Sequence, residues 1–338
     1  MTTWIANFDF DYRLAPTPNG QGVTLPQPVR ERMRPLAGLF WLLADEGDTI
    51  ATFDGRPPRV EGPPLPPVRF IRLAELGSAV HADSDAGPIV RWGDVRPDRI
   101  AVVRAANDKA LLATLTREAP DRSGTAVPMR VFGPDDDAEQ AIATLAAWCR
   151  SEGWRGLMLK ARWSGFGRGC RRFFPDEQTD TLVGWVDRCR RRGGLVAEPL
   201  HRIQRQFSSH VVIEPGGIGF VGRIELHTDE SGQPTNLSTV RDSDRGGSGG
   251  DLAVAEQVRR LGYLGPLSFD GYLHQWRKRV TLRAVSDINA RLTLGSLALR
   301  IARRHGGRCL SGFGDGAVSL STPAGDWVFR SGERTAER

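Results

Sequence analysis

A strand that ends in lysine runs straight into a loop where glycine recurs at every second position, which limits both what this chain can fold into and what it can bind. Gly156-Leu-Met-Leu-Lys160 reads as a short apolar strand, and Lys160-Ala-Arg-Trp-Ser-Gly-Phe-Gly-Arg-Gly169 continues it with Gly165, Gly167 and Gly169. Glycines let backbone N–H groups close around phosphate oxygens without side-chain obstruction. A lysine on the strand adds a point charge beside them. A plain turn can have the same composition, so the loop needs support from elsewhere in the chain. It is not a P-loop, because no Gly-Lys-Ser/Thr follows, and no dinucleotide-binding helix opens on its third glycine.

Around this loop strands and helices mix without strict βαβ alternation, which predicts an α+β chain rather than a doubly wound sheet. Residues 4–10 read as a first strand. Residues 29–44 carry helical spacing that Pro35 kinks or restarts. Residues 56–67 are proline-rich, and short apolar pieces follow at 70–73, 89–92 and 100–103. Helices are expected over 107–117, over 135–153 behind three aspartates, over 180–192 up to Gly193-Gly194, and over 252–261 and 294–304. Strands are expected at 129–132, 194–198, 267–273 and 282–288, with a hairpin over 211–226. Residues 229–250 are polar and glycine-rich and read as loop. The division this implies is 1–105 as a small α/β domain, 106–204 as a linker helix and a lid, 205–330 as a core, and 331–338 as a disordered tail.

Of the 46 basic residues only Lys109, Lys160 and Lys278 are lysine. A chain that accepts arginine almost everywhere keeps lysine by chance, or where a compact ammonium cannot be replaced by a planar fork. The arginines are spread along the chain with no aromatic interleaving, which argues against a nucleic-acid partner. No apolar run approaches the roughly 20 residues a membrane helix needs. Cys149, Cys170, Cys189 and Cys309 form no CxxC pair, which argues against zinc and suits a reducing compartment. The expected location is cytoplasmic.

Carboxylates come late in the chain. Asp270 lies on an apolar strand, and Asp287 and Asn289 stand two apart, so both point to one face of the next strand. Together they offer hard oxygen ligands of the kind Mg²⁺ takes when it carries phosphate. Each one alone could equally be a solvated carboxylate or an Asx turn.

In this order the pieces resemble the ATP-grasp superfamily: Asp108-Lys109, Lys160 with its glycine loop, Glu198, Asp270, then Asp287-Ile-Asn289. The loop is similar to that of biotin carboxylase and its relatives, with Lys160-Ala161, Gly165, Gly167, Arg168-Gly169 and Arg171. Ala6-Asn-Phe-Asp-Phe-Asp11 and Arg91-Trp-Gly93 resemble bacterial ATP-grasp proteins of unassigned substrate. Two positions depart from the pattern. Asp287 stands where the family has glutamate, and Pro199 removes a backbone donor after Glu198.

The resemblance implies an α+β fold, two lobes holding ATP, preceded by a small pre-ATP-grasp domain. It implies that Lys109 and Lys160 contact phosphates, that Ser164, Gly165, Gly167, Arg168 and Gly169 fold over them, and that Glu198 meets the adenine or ribose edge. It makes Asp270, Asp287 and Asn289 the Mg²⁺ ligands. Arg291 would bind the acceptor carboxylate or the acylphosphate, or else pair with Asp287. His210 and Trp163 read as structural or substrate-facing. The implied function is a carboxylate–amine ligase acting on a small-molecule or peptide carboxylate and an amine-type nucleophile. A small-molecule kinase, or a nucleotide-binding protein weakened at Asp287 and Pro199, are the alternatives.

Overall fold

The computed structural model describes residues 1–15, 25–80, 87–118, 127–165, 169–176, 180–229, 234–239, 249–276, 279–314 and 316–331. Three sheets organise them. The first is parallel, in the order Arg69–Arg72, Thr49–Thr52, Thr3–Ile5, Ile89–Arg91. The second is small and antiparallel, in the order Arg130–Phe132, Leu195–Pro199, Leu157–Ala161, Cys170–Phe173. The third has nine strands, and its first three are Arg279–Asn289, Gly265–Trp276 and Arg202–Glu214.

The small sheet buries its own apolar cluster under the helices Ala138–Ser151 and Asp180–Arg190, around Leu145, Leu157, Phe173 and Val186. Asp137 caps the first of these helices by accepting from the Gln140 N–H at 2.9 Å. The parallel sheet and the nine-stranded sheet instead share one apolar core, in which Phe40, Trp92, Phe269, Leu297 and Phe329 are all buried. The helix Leu294–His305 lies on this core behind a Thr293/Ser296 capping box.

The first strand is shorter than the sequence suggests. It ends at Ile5, because the Asn7 amide grips Gly93: Nδ2 donates to the Gly93 carbonyl at 2.8 Å and Oδ1 accepts from its N–H at 3.3 Å. The chain then turns into the helix Phe10–Leu14, which carries Asp11 inward. The piece at 100–103 is the start of the helix Ile100–Ala106. Pro35 acts as expected: a 3₁₀ turn, Arg34–Leu36, separates the helices Gln27–Met33 and Ala37–Trp41.

Two regions read as loop or left unassigned are sheet. Pro234–Thr239 is a strand inside the polar stretch, held between Gly217–Thr228 and Leu310–Gly314. The last strands, Leu310–Gly314, Ala317–Thr322 and Gly325–Arg330, form a meander whose far edge pairs with Arg59–Glu61 from the proline-rich segment. Its signal was strict alternation: Val318, Leu320 and Thr322 are buried while Ser319 and Ser321 are exposed. The charged segment 332–338, read as a disordered tail, lies outside the described residues.

One contact ties the N-terminal helices to this meander. A Cβ built on Gly38 would come within 2.1 Å of the Phe329 ring. Gly38 is buried and Phe329 is fully buried, so the ring has little space to retreat into. Gly38→Ala should therefore lower stability by about 1–3 kcal/mol through overpacking. Urea unfolding measures it, and an unchanged midpoint would show that the two units can part at this seam.

Candidate functional site

Lys109 opens the helix Lys109–Glu118 and is held from both sides. Asp108 caps that helix by accepting from the Ala110 N–H at 2.9 Å and pairs with Arg162, whose Nε donates to it at 2.8 Å. Asn107 accepts from the Ala290 N–H at 2.9 Å, which fixes the helix start against the strand carrying Asp287 and Asn289. The Lys109 ammonium consequently sits 3.1 Å from Asp287 Oδ1 and donates to the Ser164 carbonyl at 3.0 Å. One lysine thus links an acidic strand to the mouth of the glycine loop.

Lys160 and Glu198 lie on neighbouring strands of the small sheet. Lys160 is opposite Val196 and Glu198 opposite Met158, so the two side chains share a face as diagonal neighbours. The Lys160 ammonium meets Glu198 Oε1 at 2.8 Å and donates to the Ser286 carbonyl at 3.0 Å. Arg283 meets Glu198 Oε2 at 2.8 Å and donates to the Tyr272 hydroxyl at 2.9 Å. All three charges are buried. Burial works most strongly against the Lys160 ammonium, but Glu198, Asp287 and Tyr272 together outweigh it and hold the lysine above its ordinary pKa. Burial likewise works against the Glu198 carboxylate, and Arg283 and Lys160 outweigh it, so this acid is held below its usual range. Glu198, expected at the adenine or ribose edge, has both oxygens engaged by cations. Pro199 does not leave a gap in the ladder, because Leu200 donates to the Gly156 carbonyl at 2.9 Å.

Asp270 and Asp287 are direct cross-strand partners. Burial, and then the Asp287 carboxylate, push the Asp270 acid above its ordinary pKa. Asn289 bridges two neighbours: its Nδ2 donates to Asp270 Oδ2 at 3.1 Å and its Oδ1 accepts from Arg291 at 3.0 Å. Only this amide orientation satisfies both a carboxylate and a guanidinium. Arg291 does not pair with Asp287, the alternative the sequence left open. Its Nε donates to Asp11 Oδ1 at 2.7 Å, across 280 residues of chain.

Asp11 is the residue the sequence reading missed, together with Arg283. Its second oxygen, Oδ2, is buried without a hydrogen-bond partner, and a Cβ on Gly165 would come within 2.0 Å of it. Glycine at 165 is thus required by a close approach of the loop to the N-terminal segment. Gly169 is required for another reason: its φ is +82°, and its carbonyl closes the base of the loop on the Ala161 N–H at 2.8 Å. Gly167 and Arg168 lie outside the described residues, as does Lys278. Trp163 packs under Arg162 and donates to the Arg104 carbonyl at 3.3 Å, a structural role. His210 is also structural, with burial holding it near pKa 3 and therefore neutral.

A single cleft of about 280 Å³ is lined by Lys109, Lys160, Ser164, Gly165, Glu198, Asp270, Asp287, Asn289 and Arg291. Gly169 lines an adjoining cavity on the far side of the loop. No protein-family model matches the sequence, and no curated protein matches it. Solved structures do. The biotin carboxylase domain of the Hydrogenobacter thermophilus 2-oxoglutarate carboxylase, solved with MgADP, ADP and bicarbonate, superposes with a TM-score of 0.51 at 13% identity, over 98% of this chain and 86% of that one. The fold is ATP-grasp.

Two further solved structures match less of the chain. An N5-carboxyaminoimidazole synthase from Aspergillus clavatus has a TM-score of 0.40 at 15% identity, over 65% of this chain and 50% of that one. The D-alanine–D-alanine ligase from Coxiella burnetii has 0.39 at 17%, over 56% and 49%. This chain therefore spans about half the length of these two.

The acidic pair gives a test with a definite sign. A carboxyl whose folded pKa is raised destabilises the fold once pH rises through that value. At neutral pH Asp270→Asn should therefore raise the thermal midpoint in EDTA, since the amide keeps the shape and removes the repulsion by Asp287. A lowered midpoint in EDTA would mean that the charge on Asp270 is needed by the fold itself.

Proposed function

We propose that the chain is an ATP-dependent ligase that activates a carboxylate as an acylphosphate, which an amine or similar nucleophile then attacks, with release of ADP and phosphate. One observation carries this reading. The single cleft gathers two lysines, the mouth of the glycine loop, a pair of facing carboxylates and a buried arginine, in an ATP-grasp fold. The similar biotin carboxylase domain was solved with MgADP, ADP and bicarbonate, which points the same way.

In this reading Lys109 and Lys160 neutralise phosphate oxygens, and the amides between Ser164 and Gly169 close over them, with Gly167 and Arg168 inside that span. The apolar end of the cleft, with Met158, Leu200 and Ile203, takes the adenine beside Glu198. Asp270 and Asp287 would hold Mg²⁺, which supplies charge neutralisation at the transferring phosphoryl group. The donor set fits such an ion, because a cation between the two carboxylates would offset both the burial and the Asp287 repulsion that raise the Asp270 acid. Asn289 orients Asp270 and Arg291 and keeps a second lone pair on Oδ1 for a metal. Arg291 binds the acceptor carboxylate or the acylphosphate, with Asp11 fixing its plane.

Among the described residues the charges around the cleft balance. Lys109, Lys160, Arg283 and Arg291 face Asp11, Glu198, Asp270 and Asp287, four cations against four carboxylates. A bare polyphosphate entering it meets no net attraction, so binding should depend strongly on the metal. Isothermal titration should show ATP binding with Mg²⁺ and much weaker binding in EDTA. Equal binding of heparin, with no preference for ATP, would sink the reading in favour of a merely basic surface.

Lys109→Ala should weaken Mg-ATP binding by roughly 10- to 100-fold, the range for losing a charge-assisted hydrogen bond. Lys278→Ala should leave it unchanged, and the reverse result would overturn both assignments.

A weakened nucleotide binder is the second reading, favoured by the shorter Asp287 arm and its pairing with Lys109. Asp287→Glu separates the two. A site tuned to aspartate should lose ATP turnover when the arm lengthens, because Mg²⁺ demands near-ideal geometry. A clear gain in turnover would instead support decay.

A further inference from the structure

The parallel sheet carries a second crevice, formed by residues other than those of the nucleotide cleft. Thr3–Ile5, Thr49–Thr52 and Arg69–Arg72 run in the same direction, so their carboxyl ends lie along one edge. In open parallel sheets that edge is where ligands bind. Here it opens into a cavity of about 270 Å³ under the helix Gln27–Met33.

Its charge is unbalanced. Arg30, Arg34, Arg56 and Arg72 line it against only Glu31 and Asp54. Arg34 pairs with Asp54, and Glu31 accepts from Gln27 at 2.8 Å. Among the described residues no carboxylate pairs with Arg30, Arg56 or Arg72. The Nε atoms of Arg30 and Arg34 are moreover buried without an acceptor. A buried guanidinium N–H left unsatisfied is costly, and an incoming oxyanion removes that cost. Guanidinium forks match carboxylate and phosphate oxygens two at a time. Phe8, Met33 and Phe53 complete the lining with apolar surface. The cavity therefore has room for a small organic body as well as its charged end.

We propose that this crevice binds a small, multiply charged oxyanion, the chemistry shared by phosphorylated and polycarboxylate metabolites, independently of the nucleotide cleft. Pyrophosphate and citrate serve as probes, titrated calorimetrically into the full chain in low salt with EDTA, where metal-assisted binding in the nucleotide cleft is suppressed. Wild type should bind at least one of them, and the tighter probe identifies the phosphoryl or the carboxylate class. The double substitution Arg30→Gln with Arg72→Gln should weaken that binding about tenfold or more. Lys109→Gln, in the other cleft, should leave it unchanged. Neither arginine is in an ion pair among the described residues, so the double variant should keep its thermal midpoint. If it does not fold, Arg56→Gln on the exposed rim must weaken binding several-fold. The idea is overturned if neither probe binds. It is equally overturned if Lys109→Gln abolishes the binding while the arginine variants keep it, because the anion then occupies the nucleotide cleft.

Discussion

Asp270 and Asp287 face each other across an antiparallel ladder inside a cleft, and two carboxylates in that position repel. Much of the site's arrangement answers this repulsion. Lys109 is drawn onto Asp287, Asn289 donates to Asp270, and Arg291 is drawn onto Asn289. The remaining charge on Arg291 is met by Asp11, which arrives from the first helix. A chain of alternating charge and dipole thus crosses from the nine-stranded sheet to the N-terminal segment. Asp11, Lys109, Asn289 and Arg291 are buried, and Asp270 and Asp287 are half-buried, so removing one link leaves its neighbour uncompensated in a poorly solvated place.

The small sheet solves a similar problem separately. Lys160, Glu198 and Arg283 make a closed ionic group, with Arg283 supplied by the large sheet. That pairing holds the small sheet against the core through charge, whereas the two apolar clusters are separate. Such an attachment keeps orientation without fusing the two hydrophobic interiors. It also places Ser164 and Gly165, at the start of the glycine loop, against Lys109 and Asp11.

The sequence by itself marked most of the charged residues that meet in the cleft. Lysines in a chain that otherwise uses arginine, glycines alternating after a strand, and carboxyl and amide groups two apart are local patterns, and local patterns survive without a structure. The residues named on that basis and described by the structure, Gly169 apart, line one cavity. Most helices were legible for the same reason, since an apolar stripe and a cap are set by neighbours in sequence.

Only the tertiary structure decided who neutralises whom. Asp11 and Arg291 are 280 residues apart, and nothing local marks either as the partner of the other. Arg283 was one arginine among many until the strand Arg279–Asn289 brought it against Glu198. The strand Arg59–Glu61, in a proline-rich stretch, became the far edge of the nine-stranded sheet because the C-terminal meander needed a partner there. Long-range pairing depends on which surfaces meet after collapse, and a carboxylate carries the same local signature whether water or a buried guanidinium will face it.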